Sequence, residues 1–155
     1  MARFRERVEK ITRALALAAE ETGHRALYFP SVAGHPWEIR ANLRFARDAG
    51  ADGFLIMPGL LGLGLMHAIA SDPELNLPVM SHPSFLGPYV LLSNTGIAHS
   101  VVFGTLQRLA GADIVVFPNA GGRFGFTVAE CQSIATACRD SRDRADPFCP
   151  RPLAA

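Results

Sequence analysis

The spacing of hydrophobic residues changes several times along this chain, and each change predicts a different element. Phe4, Val8, Ile11 and Leu15 recur at helical spacing among charged residues, which predicts an amphipathic helix of about five turns ending near Gly23. From there to residue 139, short apolar runs alternate with helical segments. Runs of this kind, bounded by proline, glycine or charged residues, are typical of strands buried on both faces of a parallel sheet.

Four strands are predicted in this way. They cover residues 26–29, 54–57, 78–81 and 114–117, and helices are predicted over residues 36–49, 63–70, 96–110 and 127–139. One helix followed by four βα units predicts an α/β fold with a parallel sheet covered by helices. Residues 140–155 are charged and proline-rich without periodicity, so we expect a loose tail after a domain of residues 1–139.

One junction occurs twice. The sequence Ala-Gly-Ala-Asp precedes both the second and the fourth predicted strand, at residues 49–52 and 110–113. Recurrence at every second unit suits a (β/α)₈ barrel, in which odd and even strands pack in alternating layers. A complete barrel of this kind typically has about 250 residues, so four consecutive βα units predict a partial TIM barrel.

Composition narrows the class of protein. With 155 residues, 49% of them hydrophobic, the chain can bury the core of one domain. A net charge of +1 with dispersed basic residues gives no reason to expect nucleic-acid binding. The start of the chain is charged and no apolar run approaches the length of a membrane span, so we expect a cytoplasmic protein without membrane contact. Cys131, Cys138 and Cys149 match no zinc or disulfide pattern and are expected to be reduced thiols.

The basic residues exclude one kind of chemistry. Of the 15 basic residues only Lys10 is a lysine, and it lies in a charged helical segment. Schiff-base catalysis, a lysine general base and a carbamylated-lysine metal site therefore have no good candidate in this sequence.

Ligands of parallel α/β sheets lie at the carboxyl ends of the strands, where His82 is the best titratable candidate. It follows the third predicted strand and precedes Pro83, so its imidazole could act as an acid, base or electrophile. The alternative is a histidine that is merely hydrogen-bonded at a strand end. No carboxylate follows a strand, since Asp52 and Asp113 precede theirs and should lie at the opposite, stabilising end.

The loop after the fourth predicted strand is a candidate anion site. Its glycines allow close backbone approach, its guanidinium could pair with an anion, and a helix N-terminus follows. Thr127 and Glu130 have the spacing of a capping box. A βα loop with glycines for steric reasons only is the alternative. The candidate residues are Asn119, Gly121, Gly122 and Arg123.

The other glycines and histidines are expected to be structural. Residues 59–64 contain three glycines without dinucleotide-binding spacing, so we expect close packing of a loop and a helix there. His99 is expected to be structural or solvent-facing, and His24, His35 and His67 to lie in loops or on helix surfaces.

Several longer motifs are distinctive when taken together. They are Met80-Ser-His-Pro-Ser-Phe-Leu-Gly, Gly96-Ile-Ala-His, Leu109-Ala-Gly-Ala-Asp and Phe117-Pro-Asn-Ala-Gly-Gly-Arg-Phe. This succession resembles the RuBisCO-like proteins, the non-carboxylating relatives of the RuBisCO large chain, and the resemblance extends to about Cys138. It implies a fold with an N-terminal α+β domain and a (β/α)₈ barrel, in which the four predicted strands resemble the third to sixth.

The resemblance also implies roles. His82 matches the active-site histidine after the fifth strand, and the candidate anion-binding residues match the substrate-facing loop after the sixth. That loop lacks the mobile lysine of the carboxylases, so carboxylation is not expected. Its Pro-Asn-x-Gly-Gly-Arg-Phe form is more similar to the isomerases and decarboxylases acting on sugar and sugar-acid phosphates than to the methionine-salvage enolases.

The family mechanism forms an enediolate on a phosphorylated keto substrate, with Mg²⁺ holding the oxygens. The magnesium ligands follow the second barrel strand, which would precede Met1. We therefore expect a fragment without metal ligands, inactive by itself, that forms a homo-oligomer as family members do. Two other classes stay open: a non-catalytic half-barrel that self-associates through its unpaired edges, or a small α/β protein that binds a phosphorylated metabolite.

Overall fold

The computed structural model describes residues 3–91 and 94–140, in which three short parallel strands are surrounded by helices. In chain order the elements are α1 (Phe4–Thr22), α2 (Pro36–Asp48), β1 (Phe54–Ile56), α3 (Pro58–Leu61), α4 (Leu63–Ala70), β2 (Val79–Ser81), a 3₁₀ turn (Gly87–Tyr89), a π-helix (Val101–Thr105), α5 (Leu106–Leu109), β3 (Ile114–Val115) and α6 (Val128–Arg139). Residues 141–155, which make up nearly all of the predicted tail, lie outside the described residues.

The strands form one sheet in the order β1-β2-β3, and both pairs are parallel. Leu55 is opposite Met80, and Ser81 is opposite Val115. The predicted α/β fold with a parallel sheet is therefore confirmed, and α1, α2, α4 and α6 lie where helices were predicted. In the part of the chain that the structure describes, no helix is both long and apolar enough to cross a bilayer.

The first of the four predicted strands is not formed, so the described residues contain three strands. The segment runs beside β1 but makes only one bridge, between Ser31 and Leu55. Two backbone features explain why the ladder stops there. Pro30 has no N–H to donate, and the N–H of Tyr28 donates to the carboxylate of Asp52 at 2.9 Å.

The prediction that the fourth strand is buried on both faces is also wrong. The strand β3 has two residues, and the side chains of Ile114 and Val116 remain 40% and 37% exposed. The reason is its position, because β3 is the outer strand of the described sheet and has a neighbour on one side only. The Val116 N–H still donates to the Ser81 carbonyl at 3.0 Å, so the extended chain continues beyond the assigned strand.

The two Ala-Gly-Ala-Asp junctions have the same structure. The glycine of each copy has a left-handed φ, 90° in the first and 88° in the second, which a residue with a Cβ adopts only with strain. Asp52 then accepts the N–H of Tyr28, and Asp113 accepts the N–H of Val79, each at 2.9 Å. Both carboxylates therefore lie at the amino ends of the strands, as predicted, and anchor the neighbouring segment.

Two groups of buried side chains hold the elements together. The larger one packs α1, α2 and α4 against the sheet and includes Val8, Ile39, Leu43, Phe54 and Met66. The smaller one, called the second cluster below, joins the loop after β2 to the π-helix and α6. Its buried residues are Leu86, Val90, Val102, Phe103, Phe126 and Ile134.

The fourth predicted helix differs from expectation in its start and its geometry. Helical conformation begins at His99 rather than near residue 96, and the segment includes a π-helical turn that was not predicted. The buried Gln107 connects this turn to the sheet. Its Oε1 accepts from the Ser81 hydroxyl and its Nε2 donates to the Val102 carbonyl, both at 2.7 Å. These two buried hydrogen bonds fix the helix against β2.

Candidate functional site

A cavity of about 540 Å³ opens at the carboxyl ends of β2 and β3. Its wall is mainly apolar and aromatic, with a few polar groups, which is the usual character of a small-molecule site. Four elements contribute to it: the loop after β2, the π-helix, the end of β3 and the loop before α6. The lining residues are His82, Pro83, Ser84, Phe85, Gly87, Pro88, Val90, Leu91, Phe103, Val116, Phe117, Pro118, Phe124 and Phe126.

His82 lies on the cavity wall directly after β2. Its backbone N–H donates to the Ile56 carbonyl at 2.8 Å, which continues the pairing with β1. Its Nδ1 accepts from the Ser84 N–H at 3.2 Å and lies 2.9 Å from the Ser84 hydroxyl. The Ser84 N–H, which can only donate, thus places Nδ1 as a hydrogen-bond acceptor. None of the described residues forms a hydrogen bond with Nε2, so a ligand can.

The turn at Ser84 and Phe85 packs directly on Gly59. A Cβ at Gly59 would lie 2.4 Å from the Ser84 carbonyl oxygen and 2.8 Å from the Phe85 carbonyl carbon. Phe85 itself has a φ of 65°, which is rare for an aromatic residue. The packing role predicted for the glycines of residues 59–64 is thus observed at the first of them, next to His82.

The predicted anion-binding loop lies beside the cavity rather than in its wall. Its two flanking residues, Pro118 and Phe124, line the cavity. The residues between them that were predicted to bind an anion do not: Asn119, Gly121, Gly122 and Arg123. The structure therefore brings this loop next to the cavity that His82 lines, with only its ends contributing to the wall.

Hydrogen bonds inside this loop use some of the N–H groups that an anion would need. The Gly121 N–H donates to the Phe126 carbonyl at 3.1 Å, and the Gly122 N–H donates to the Asn119 carbonyl at 3.2 Å. A Cβ at Gly122 would lie 2.4 Å from the Asn119 Oδ1, so a larger residue here would have to displace the Asn119 side chain. The two glycines therefore shape the loop and offer little to a ligand.

Arg123 is the cationic group of the loop and is exposed to solvent. Its guanidinium lies 5.4 Å from the ring centroid of Phe124, a cavity-lining residue, in cation–π geometry. It makes no ion pair with a carboxylate in residues 3–91 and 94–140. The guanidinium can therefore donate two hydrogen bonds to an anionic ligand without breaking an existing ion pair.

The predicted capping box at the start of α6 is confirmed. The Thr127 N–H donates to Glu130 Oε2 at 2.7 Å, and the Glu130 N–H donates to the Thr127 hydroxyl oxygen at 3.2 Å. The hydrogen bond from the Thr127 backbone holds the pKa of Glu130 below its usual range, with help from the Thr127 hydroxyl. This carboxylate occupies the helix N-terminus that was predicted to attract an anion. Arg123 is consequently the stronger anion-binding candidate.

His99 connects α6 to the segment that contains the π-helix. Its Nδ1 lies 3.4 Å from Glu130 Oε1, and its ring makes an edge contact with Phe126 at 4.6 Å between centroids. It also stacks on Phe103 at 6.2 Å. These contacts fit the structural role that was predicted for it.

The aromatic wall of the cavity was not predicted. Phe85, Phe103 and the pair Phe117 and Phe124 come from three segments, and no hydrophobic periodicity connects these segments. Phe117, at the end of the fourth predicted strand, was interpreted only as a buried strand residue. The nearest available signal was the phenylalanine count, 10 in 155 residues.

The described residues offer no ready metal site. In residues 3–91 and 94–140, no three His, Cys, Asp or Glu side chains converge on one point. Cys131 and Cys138 are free, as predicted, and their thiols donate to the Pro118 and Phe103 carbonyls at 3.4 and 3.8 Å. Burial raises the pKa of the Cys138 thiol. Cys149 lies outside the described residues.

Comparison with known proteins identifies relatives of this chain, although no protein-family model matches it. The chain is 36% identical over 138 residues to a 2,3-diketo-5-methylthiopentyl-1-phosphate enolase from Bacillus pumilus, covering 89% of this chain and 34% of the relative. It is 38% identical over 134 residues to a 5-methylthioribulose-1-phosphate isomerase from Rhodospirillum rubrum, covering 86% of this chain and 34% of the relative. The chain thus spans about a third of the length of these relatives.

A solved structure shows the same arrangement of elements. A rubisco-like protein from Alicyclobacillus acidocaldarius superposes with a TM-score of 0.81 at 29% sequence identity. The superposition covers 88% of this chain and 34% of the other. The similarity therefore includes most of this chain.

Proposed function

This chain is a homologue of the RuBisCO-like proteins over about a third of their length, and on that premise we propose that it carries part of a sugar-phosphate site. The observation that supports this most directly is the cavity at the carboxyl ends of parallel strands, with His82 on its wall and Arg123 beside it. Both relatives compared above are named for substrates that carry a 1-phosphate group.

We propose that the described residues correspond to four consecutive βα units of a (β/α)₈ barrel, the third to the sixth. The parallel order β1-β2-β3 and the segment bridged at Ser31 support this register. The exposed outer side of β3 also supports it, because a seventh strand would cover that side in a closed barrel.

In this proposal each of the two residues has a separate task. Arg123 pairs with the phosphate group, for which a guanidinium is well suited. His82 donates from Nε2 to a carbonyl oxygen of the substrate and stabilises negative charge there as an enediolate forms. The branch that acts on sugar and sugar-acid phosphates as an isomerase or decarboxylase stays a prediction, since relatives with enolase and isomerase names are almost equally similar.

Magnesium is implied by the family resemblance, and the residues described here do not supply a cluster for it. We therefore propose that this chain contributes substrate-binding groups and does not turn over substrate by itself. Purified chain incubated with Mg²⁺ and the substrates named for the two relatives should give no product above a blank. Measurable turnover would contradict this part of the proposal.

Binding of a phosphorylated sugar tests the role of Arg123. We expect ribulose 5-phosphate to shift the backbone amide NMR signals of Gly121 and Gly122, and Arg123→Gln to weaken binding by about tenfold or more, since a charged hydrogen bond contributes about 1.5–3 kcal/mol. The control is Arg139→Gln, which removes an exposed arginine in the last turn of α6. Equal affinities of Arg123→Gln and the original chain would refute the proposed anion site.

A further inference from the structure

We propose that Ser84, seated on Gly59, is a positioning residue that keeps the proton of neutral His82 on Nε2. The use of this proton on a substrate rests on the proposed function above, whereas the positioning itself does not. The consequence is specific. His82 would present a hydrogen-bond donor to a ligand oxygen and would not act as a base at Nε2.

The first step is the contact between Ser84 and Nδ1. The Ser84 N–H points at this nitrogen from 3.2 Å, which requires the nitrogen to be an acceptor. The Ser84 hydroxyl lies 2.9 Å from the same nitrogen and, because it can donate or accept, adapts to either tautomer. A proton on Nδ1 would face the Ser84 N–H, which can only donate. The tautomer with the proton on Nε2 is therefore favoured by the backbone N–H of Ser84.

The second step is the support beneath Ser84. The backbone of the turn lies so close to Gly59 that a Cβ would be 2.4 Å from the Ser84 carbonyl oxygen. Gly59 follows β1, whereas His82 follows β2, so the contact sets the turn relative to both strands. On the other side, Pro83 has a fixed φ between His82 and Ser84. The position of the Ser84 N–H is thus determined by the end of the sheet.

The third step is the free nitrogen. Within the described residues Nε2 has no hydrogen-bond partner. Every side-chain nitrogen or oxygen that is closed off from solvent in these residues does have a partner, so Nε2 is not closed off. Nε2 is therefore accessible, on a side chain that lines the cavity. Together, the three steps leave a neutral imidazole with its N–H available to a ligand.

The tautomer can be measured directly by long-range ¹H–¹⁵N correlation in chain labelled with ¹⁵N-histidine, at about pH 8.5, where an ordinary imidazole is neutral. The exposed His24 serves as an internal reference. We expect His82 to be more completely protonated at Nε2 than His24. Ser84→Ala keeps the backbone N–H and should keep the ratio high, whereas Ser84→Pro lacks this N–H and should lower the Nε2–H to Nδ1–H ratio about threefold to tenfold, the effect of one neutral hydrogen bond.

Gly59→Ala tests the support, because the added Cβ must displace the turn. It should bring the His82 ratio down to that of His24. The matched controls are Gly64→Ala, whose Cβ would meet nothing within 4 Å, and Ser133→Ala on the exposed face of α6. Both should leave the ratio unchanged. If Gly59→Ala or Ser84→Pro does not fold, as judged by its amide spectrum, the ratio of His82 relative to that of His24 in the original chain decides.

Two results would overturn the proposal: a His82 ratio equal to that of His24 in the original chain, or a ratio unchanged in a folded Ser84→Pro variant. Neither depends on substrate. A failed sugar-phosphate titration would therefore count against the proposed function alone and leave the positioning of His82 standing.

Discussion

The capping box of α6 connects the charge of a single side chain to the stability of the loop beside the cavity. Glu130 accepts two hydrogen bonds from Thr127, at 2.7 Å from the N–H and 2.9 Å from the hydroxyl. These bonds lower the pKa of Glu130 in the folded chain below its ordinary value of 4.5. The unfolded chain therefore binds the proton more tightly, and the carboxylate stabilises the fold above the unfolded pKa.

Acid should remove this contribution. As the pH falls through the lowered pKa of Glu130, the stabilisation is lost, so thermal stability should decline below about pH 4.5. Glu130→Gln keeps an acceptor for the capping box but cannot titrate. We expect its melting temperature to depend less on pH between 5 and 3 than that of the original chain, measured by circular dichroism.

Two further variants make this pH test specific. Glu20→Gln removes an exposed glutamate of α1 and should leave the pH dependence unchanged. Thr127→Ala removes the cap itself and should cost about 1 kcal/mol of unfolding free energy at neutral pH. A pH profile of Glu130→Gln identical to that of the original chain would show that the carboxylate does not carry the acid sensitivity.

At the residue scale, the sequence located His82 but could not show what surrounds it. Its position follows from a short apolar run and the proline after it, both of which are local signals. Its partner Ser84 is also local, whereas Gly59 and the aromatic wall come from distant segments. Their proximity depends on how β1 and β2 align, which is a property of the folded sheet.

At the element scale, the contact between the π-helix and α6 depends on one glycine. A Cβ at Gly104 would lie 2.7 Å from the Ala137 Cβ, so the two helices are as close as their backbones allow. This contact lies at the second cluster, whose members Phe103 and Phe126 also line the cavity. Separation of the two helices would therefore move the cavity wall.

Gly104→Ala should destabilise the fold by about 1–3 kcal/mol, the usual cost of overpacking a core. Adding Ala137→Gly removes the clashing methyl group and should recover part of the loss, limited by the cost of glycine in a helix, about 1 kcal/mol. Urea unfolding of the two single variants and the double variant measures the coupling.

Gly64→Ala in α4 is the control for this cycle, since its Cβ would enter open space. It should stabilise the helix by about 0.5–1 kcal/mol, because alanine loses less conformational freedom than glycine on folding. Additive effects of Gly104→Ala and Ala137→Gly would show that the two residues do not limit the approach of the helices.

The helices were easier to predict than the strands. The glycine after α1, the proline at the first position of α2 and the capping box of α6 are signals within a few residues of a helix end. Strands depend on a partner that lies elsewhere in the chain. The first predicted strand has the right composition, but its ladder does not extend. Pro30 has no N–H to donate, and the Tyr28 N–H donates to the Asp52 carboxylate instead of to a strand.

At the scale of the whole molecule, the outer side of β3 is the most exposed part of the sheet. Ile114 and Val116 are 40% and 37% exposed, and Val128, in the first turn of the following helix, is 62% exposed. Backbone groups and apolar side chains on a strand edge promote association with another chain. We therefore expect the predicted self-association of a half-barrel to use this surface.

We expect the purified chain to form dimers or larger species at micromolar concentration, and Ile114→Lys to shift it toward monomer, because a charged edge residue opposes strand pairing. Size-exclusion chromatography with light scattering measures the mass. Leu17→Lys, on the exposed face of α1, is the matched control and should not change it. A monomer at all concentrations would exclude association through β3.

The sequence by itself determined the class of the fold, the position of His82 and the family of its relatives. Those features depend on hydrophobic period, on proline and glycine at element ends, and on contiguous motifs, all of which act over a few residues. The tertiary structure decided which predicted strands pair, which phenylalanines form the cavity wall and which turn supports His82. Each depends on contacts between distant segments, because strand ladders and cavities form only when the whole sheet is in register.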